Sequence, residues 1–262
     1  MKPWQKFIRA ADSADHAVQI YDDLDELQRV VCAFLGAGFE AGSPAVVVAT
    51  AAHRDVFDRG LAAAGWDLAG IRAEGLLDVV DADETLSAVM HGGSPNREAF
   101  ARVVGGLIDD AAARFPGSTV RAYGEMVDLL WRRGRNAAAI ELERLWNELA
   151  ATRSFALLCA YELDIFEPDV QARQLPEIFG VHTHTRPATD PAGLAAAVDR
   201  ALTDCLGPVE AARIYLAVAE QIPRGNTSRG QAVLAWLSAN RADTAEPVLE
   251  RLRTLRLMSV PV

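Results

Sequence analysis

The chain has 262 residues, half of them hydrophobic and 24% charged, with a net charge of −10 and a pI near 5.0. That is enough apolar material for one substantial α/β domain with a smaller appendage, and too much for a disordered chain. The acidic balance argues against a general nucleic-acid or anionic-membrane surface. No apolar run approaches the roughly 18–20 residues of a membrane span.

The opening, MKPWQKFIRAADSADHAV, lacks the apolar core of a signal peptide, so residues 1–15 read as a helical or loose lead-in and a cytoplasmic location is expected. HAVQIY (16–21) alternates apolar and polar residues as a strand does. DDLDELQRVVCAFLGAGFEAG follows, with Asp23 and Glu26 spaced as a capping box and Leu24, Leu27, Val31, Phe34 and Leu35 on one helical face; Gly36 and Gly38 are expected to end that helix. AVVVAT (45–50) is an unbroken β-branched run, as in a strand buried on both faces. A helix is expected over 53–64 and a strand over 76–82. Ser94 is the expected N-cap, and Pro95 the first-turn residue, of a helix running to about Arg114. STVRAYGEMV (118–127) reads as a strand, Asn136 as the cap of a helix over 137–151, and FALLCAYEL (155–163) as the last strand.

Strands alternate with helices through residues 16–163, which predicts parallel strands joined by right-handed crossovers in a three-layer helix–sheet–helix sandwich. Ligands of such sheets sit beyond the carboxyl ends of the strands. Near Pro187 the pattern changes to a turn-rich RPATDPAG, and 192–206, 208–222, 228–240 and 244–258 all read as helices. Residues 1–190 hold 18 basic and 29 acidic residues, whereas 191–262 hold eight and seven, so a separate helical unit over 188–262 is expected.

Several chemistries are missing their parts. The chain has two lysines, Lys2 and Lys6, both in the lead-in, against 24 arginines; a P-loop and Schiff-base chemistry each need a lysine in the core. GAGFEAG (36–42) follows a helix and precedes a strand, the reverse of a phosphate-cradling turn. GxSxG and HExxH are absent. Cys32, Cys159 and Cys205 are isolated and read as reduced thiols, Cys32 and Cys159 as small core residues. His182 and His184 share one side of an extended segment and are the weak candidates for a metal, which is otherwise not expected. No cofactor is expected either.

Glu125 is the sharpest candidate: an acid near a strand's carboxyl end, after a glycine that allows close approach, and followed by Arg132, Arg133 and Arg135. A ligand site and a Glu–Arg pair fixing the corner are equally open. Trp131 sits where a pocket or lid role is credible, while Trp146 at helical spacing reads as core, and Glu141 pairs with Arg144 as ordinary surface support.

HAVQIYDDLDEL, AVVVAT, RAYGEMVDLLWRRG, AIELERLWNEL and FALLCAYELDIF, in that order over roughly residues 14–187, resemble the MEDS domain, the methanogen/methylotroph DcmR-type sensory domain. The resemblance implies a non-enzymatic sensory module for small hydrocarbon derivatives, on a degenerate relative of the RecA/KaiC ATPase fold that has lost its phosphate loop and binds no ATP. It marks His16, Tyr21, Glu125, Trp131, Glu141 and Trp146 as pattern residues. The domain expected on this basis spans 16–187. The chain departs from the family's usual arrangement, since no helix-turn-helix precedes residue 16 and no kinase signature is present.

The first expectation is therefore a signalling protein that binds a small organic ligand through His16, Tyr21, Tyr123, Glu125 and Trp131, and relays occupancy to a regulatory partner such as a kinase or transcription regulator. Direct nucleic-acid binding is not expected. The alternatives are a ligand-independent interaction regulator, with a homodimer open, and an acid/base enzyme using Glu125 with His16 or His184.

Overall fold

In the computed structural model, which describes residues 3–186, 191–221 and 228–257, the alternating pattern becomes an open sheet between helical layers. The chain divides into two compact units, Met1–Glu162 with Val181–His184, and Leu163–Gly180 with Thr185–Val262. In chain order the elements are α1 (Pro3–Arg9), β1 (His16–Tyr21), α2 (Leu24–Glu40), β2 (Ala45–Ala49), α3 (Ala51–Ala63), α4 (Leu68–Ala73), β3 (Leu77–Asp81) and α5 (Ala82–Val89). A small antiparallel pair, β4 (Met90–His91) and β5 (Ser94–Pro95), precedes α6 (Arg97–Arg114), β6 (Val120–Gly124), α7 (Met126–Arg132), α8 (Asn136–Ala150) and β7 (Phe155–Glu162). A π-helical turn (Val170–Gln174), α9 (Leu175–Phe179) and the short β8 (His184–Arg186) follow. The remainder is α10 (Pro191–Leu206), α11 (Pro208–Gln221), α12 (Arg229–Asn240) and α13 (Ala242–Leu257).

The main sheet runs β3-β2-β6-β7-β1-β8, and the pairings of β3, β2, β6, β7 and β1 are all parallel. Every residue of β1, β2 and β6 is buried, as a sheet covered on both faces requires. Side chains alternate between faces. Ala17, Tyr21, Val47, Tyr123, Ala156 and Leu158 pack with Phe34 and Leu35 of α2, Phe57 of α3 and Ile71 of α4. On the opposite face, the Trp146 ring of α8 meets Phe155 at 5.9 Å and Phe100 of α6 edge-on at 5.1 Å.

Several local expectations are corrected. Gly36 and Gly38 do not end α2, which runs on to Glu40. They are instead points of close packing: a Cβ on Gly36 would stand 3.2 Å from Trp66, and one on Gly38 would stand 2.4 Å from the Arg121 chain. The N-cap of α6 is Asn96, whose side chain accepts from the Ala99 N–H, while Ser94 and Pro95 form β5. The strand expected over 118–127 ends at Gly124, and Met126 already begins a helix. Asn136 is the first residue of α8 rather than its cap. Gly124 does allow close approach, by the Trp146 ring at 3.3 Å from where its Cβ would be.

Arg121 on β6 is a buried cation with no carboxylate partner among the described residues. Its guanidinium donates to the Ile8 and Phe34 carbonyls at 2.7 Å and to the Arg9 carbonyl at 3.1 Å, closing the end of α1 onto α2. Burial pushes its pKa down to about 10, still far above neutrality.

The helical unit is not a single tail beginning at 188. Leu163–Gly180 belongs with it, because Gln171 and Gln231 of α12 hydrogen-bond to each other while fully buried, and Arg253 of α13 reaches Asp164 at 2.8 Å and Glu167 at 2.5 Å. Its core is Val198, Leu202, Ile214, Val233, Leu237, Val248 and Leu252. The turn expected at 187–190 and the helix ends expected at 222, 228 and 258 lie partly outside the described residues; of these, Ser228 is described and caps α12. No described helix is long and apolar enough to cross a membrane.

Replacing Arg121 by Met strands three backbone carbonyls in an apolar setting. Urea unfolding should show a loss of about 2–4 kcal/mol, with Arg121→Lys recovering only part of it because an ammonium cannot span the three acceptors.

Candidate functional site

Polar side chains gather at two places on the main sheet. The first is its carboxyl edge. Glu125 follows β6 directly and turns the chain into α7, its own N–H donating to the Val48 carbonyl at 3.2 Å. One carboxylate oxygen accepts the Thr50 N–H at the start of α3; the other faces His53 Nδ1 at 2.6 Å and accepts the Tyr123 hydroxyl at 3.2 Å. The carboxylate is 1% exposed. For His53, burial acts to lower the pKa, but the hydrogen bond and charge of Glu125 outweigh it and the net shift is upward.

Tyr21 at the end of β1 lies edge-on to His53, ring centroids 6.3 Å apart, and burial together with the nearby Asp128, Glu162 and Glu125 carboxylates raises its pKa. Asp128 of α7 is buried as well. Burial raises it to about 6, against the Glu162 N–H at 3.0 Å and the Arg132 guanidinium at 3.0 Å, which act to lower it.

The second place lies under α8. Glu143 is fully buried and accepts the Tyr161 hydroxyl at 2.7 Å. Its oxygens stand 3.2 Å from His16 Nε2, 3.3 Å from His182 Nε2 and 3.5 Å from Cys159 Sγ. Burial pushes Glu143 up, but His182 and His16 outweigh this and hold it well below the usual carboxylate range. His16 is pushed down by burial and then by its neighbour His182, whose ring centroid is 4.1 Å away. Burial and the Glu143 charge keep the Cys159 thiol and the Tyr161 phenol protonated. His16 Nδ1 meets Asn147 Oδ1 at 2.9 Å, and Asn147 Nδ2 donates to the Val181 carbonyl at 2.9 Å. One donor atom each from His16, Glu143, Cys159 and His182 lie within 4.8 Å of one another, a set able to hold a metal ion.

The five expected site residues therefore divide. Tyr21, Tyr123 and Glu125 come together at the carboxyl edge. His16 opens β1, at the opposite end of a parallel strand from the edge that Glu125 occupies, so the two do not form one site. Trp131 packs on the other face from Tyr123, edge-on to Tyr161 at 5.4 Å, and thus borders the Glu143 group. All five are buried. His182 and His184 also part company: His182 joins Glu143, while His184 faces Asp15 at 3.0 Å.

Glu143, Cys159, Asn147, His53 and Asp128 were not singled out by the sequence as site residues. Glu143 did leave a signal, since it falls on the buried stripe of α8 with Ala139, Leu142 and Trp146, and a carboxylate on a core stripe must find partners.

An open parallel α/β domain, with buried carboxylates both at its carboxyl edge and beneath a covering helix, is the class that this fold and these groups define. Within that class the family model of the MEDS domain (MEthanogen/methylotroph, DcmR Sensory domain) matches residues 15–183, and the chain belongs to that family of sensory domains. No curated protein matches it.

The raised His53 pKa fixes the sign of a pH effect. The folded state binds this proton more tightly than the unfolded one, so the His53–Glu125 pair contributes fully below the unfolded pKa near 6.5 and is lost as pH rises through the folded value. The stability difference between wild type and His53→Gln should shrink as pH rises above about 6.5, and an NMR titration should place His53 above an exposed histidine.

Proposed function

We propose that the domain is a non-enzymatic receptor for a small, uncharged organic molecule of the hydrocarbon-derivative kind, bound at the carboxyl edge by Tyr21, Tyr123, Glu125, His53 and Asp128. The observation that carries this reading is the state of the two helix N-termini facing that edge. At α2, Asp23 accepts the Asp25 N–H, with Asp25 and Glu26 in the first turn; at α3, Glu125 accepts the Thr50 N–H. A phosphate needs such N–H groups open and no carboxylate beside them. Here the protein's own acids hold both positions, which disfavours ATP and any anionic ligand, in keeping with a RecA/KaiC-like ancestry without its phosphate loop. The phenols and carboxylates that remain suit a neutral guest with one polar group.

The helical unit is read as the relay to a regulatory partner. A second reading, a protein-docking regulator independent of ligand, is favoured by Val209 and Leu216 on α11, seven residues apart and 68% and 66% exposed. Partner capture that is unchanged by any small molecule, and lost in Leu216→Arg, is the result expected of that reading.

Thermal unfolding with short alcohols, halogenated methanes and MgATP tests the receptor. A true ligand at about 100 times its dissociation constant adds about 2.7 kcal/mol. That gain should fall sharply in Glu125→Gln and Tyr123→Phe, each compared with its own unliganded transition, and MgATP should add none. Magnesium-dependent ATP hydrolysis by the pure chain, or ligand gains untouched by both substitutions, would overturn the proposal.

A further inference from the structure

The Glu143 group under α8 gathers four residues with metal-ligating atoms around one buried carboxylate. Asn147 donates its Nδ2–H to the Val181 carbonyl, which turns its Oδ1 toward His16 Nδ1 at 2.9 Å and makes that nitrogen the N–H of the ring. His16 Nε2 faces a carboxylate oxygen of Glu143 only 3.2 Å away, so a proton or a metal ion must lie between them. The Cys159 thiol brings a single hydrogen for the same two neighbours, both at 3.5 Å.

Three of the separations have the size that a zinc-class ion requires. Zinc binds imidazole nitrogen and carboxylate oxygen at about 2.0–2.2 Å and thiolate sulfur at about 2.3 Å, so the edges of a tetrahedral site are about 3.3 Å between N and O and about 3.5 Å to sulfur. The corresponding distances are 3.2 Å from His16 Nε2 to Glu143 Oε2 and 3.5 Å from Cys159 Sγ to both of those atoms, while His182 Nε2 lies 3.3 Å from the other carboxylate oxygen, Oε1, and one ligand atom from each of the four residues lies within 4.8 Å of the others. Charge agrees with geometry: a dication with one thiolate and one carboxylate is neutral, as a buried centre must be. The outer contacts are those of a held metal site as well, with Asn147 orienting His16 and the Tyr161 hydroxyl on Glu143 at 2.7 Å.

We propose that His16, Glu143, Cys159 and His182 form a closed, four-ligand site for a divalent transition cation of the zinc class. On binding, the Cys159 thiol gives up its proton to solvent and its sulfur bonds the metal. All four positions are filled by protein, so the ion serves as a clamp joining β1, β7, α8 and the 181–184 segment, with no position left for a substrate.

The test uses the full chain. Metal analysis after purification, or after chelation and reloading with zinc, should give about one equivalent per chain. The cobalt-loaded chain should show a thiolate charge-transfer band and the intense visible bands of a tetrahedral ion. Both should vanish in Cys159→Ala and persist in the Cys32→Ala, Cys205→Ala double variant. If Cys159→Ala does not fold, Asn147→Leu serves in its place, with a zinc affinity lower by roughly 10–100-fold in dye competition. Failure of the chelated wild-type chain to take up zinc or cobalt overturns the proposal. So does a cobalt spectrum without the thiolate band, or one unchanged by Cys159→Ala.

Discussion

A carboxylate sealed from water must be neutralised by the groups around it, and Glu143 sets that condition for the domain. Its four partners arrive from three places in the chain: His16 from the start of β1, Cys159 and Tyr161 from β7, and His182 from the segment after α9. If α8 slid by one turn, about 5.4 Å, it would carry the carboxylate away from all of them. Hydrophobic packing of Trp146 against Phe100 and Phe155 holds α8 on the sheet, but apolar contacts tolerate small displacements. The directional bonds to Glu143 remove that tolerance, because a broken one leaves an uncompensated charge in the interior, worth about 3–5 kcal/mol.

The carboxyl edge solves a different problem. Crossovers bring the first turns of α2 and α3 to one rim of the sheet, where their free N–H groups attract anions. Asp23 and Glu125 answer that attraction from within the chain. The two polar centres thus differ in kind. Under α8 the inward atoms are imidazole, thiol and carboxylate, the donors that borderline metals prefer; at the rim they are carboxylates, phenols and one partly exposed imidazole.

The strands and their parallel pairing could be read from the sequence because fully buried β-branched runs such as AVVVAT, separated by helical periods, have few other solutions. Glycines misled the reading of α2, where packing against Trp66 and Arg121 outweighs their helix-ending tendency. The short α7 went unseen because MVDLLW lacks enough turns to show a period, and so Glu125 was placed in a strand rather than at a corner. At the candidate sites, Glu125, Tyr123 and Tyr21 were legible from their positions at strand ends. Their joining with His53 was not, since it depends on β2 and β6 lying side by side although 70 residues separate their ends. His16 was grouped with Glu125, from which the structure separates it. A histidine at a strand's first residue belongs to the amino end, and its partner was a glutamate on a helix stripe more than a hundred residues later.

How the rim could report occupancy follows from the three donors on Glu125. Thr50 N–H is main chain and Tyr123 is fully buried, so neither can leave the carboxylate without losing its partner in an apolar setting, at about 1–3 kcal/mol. His53 is the exception. Its side chain is 12% exposed, so in the proposed receptor it is the donor that a guest's hydroxyl would replace. A guest shifts the domain between the two arrangements only by the difference in its affinity for them. In the proposed receptor that difference would come from a guest's hydrogen bond to Glu125, which the imidazole blocks in the arrangement described.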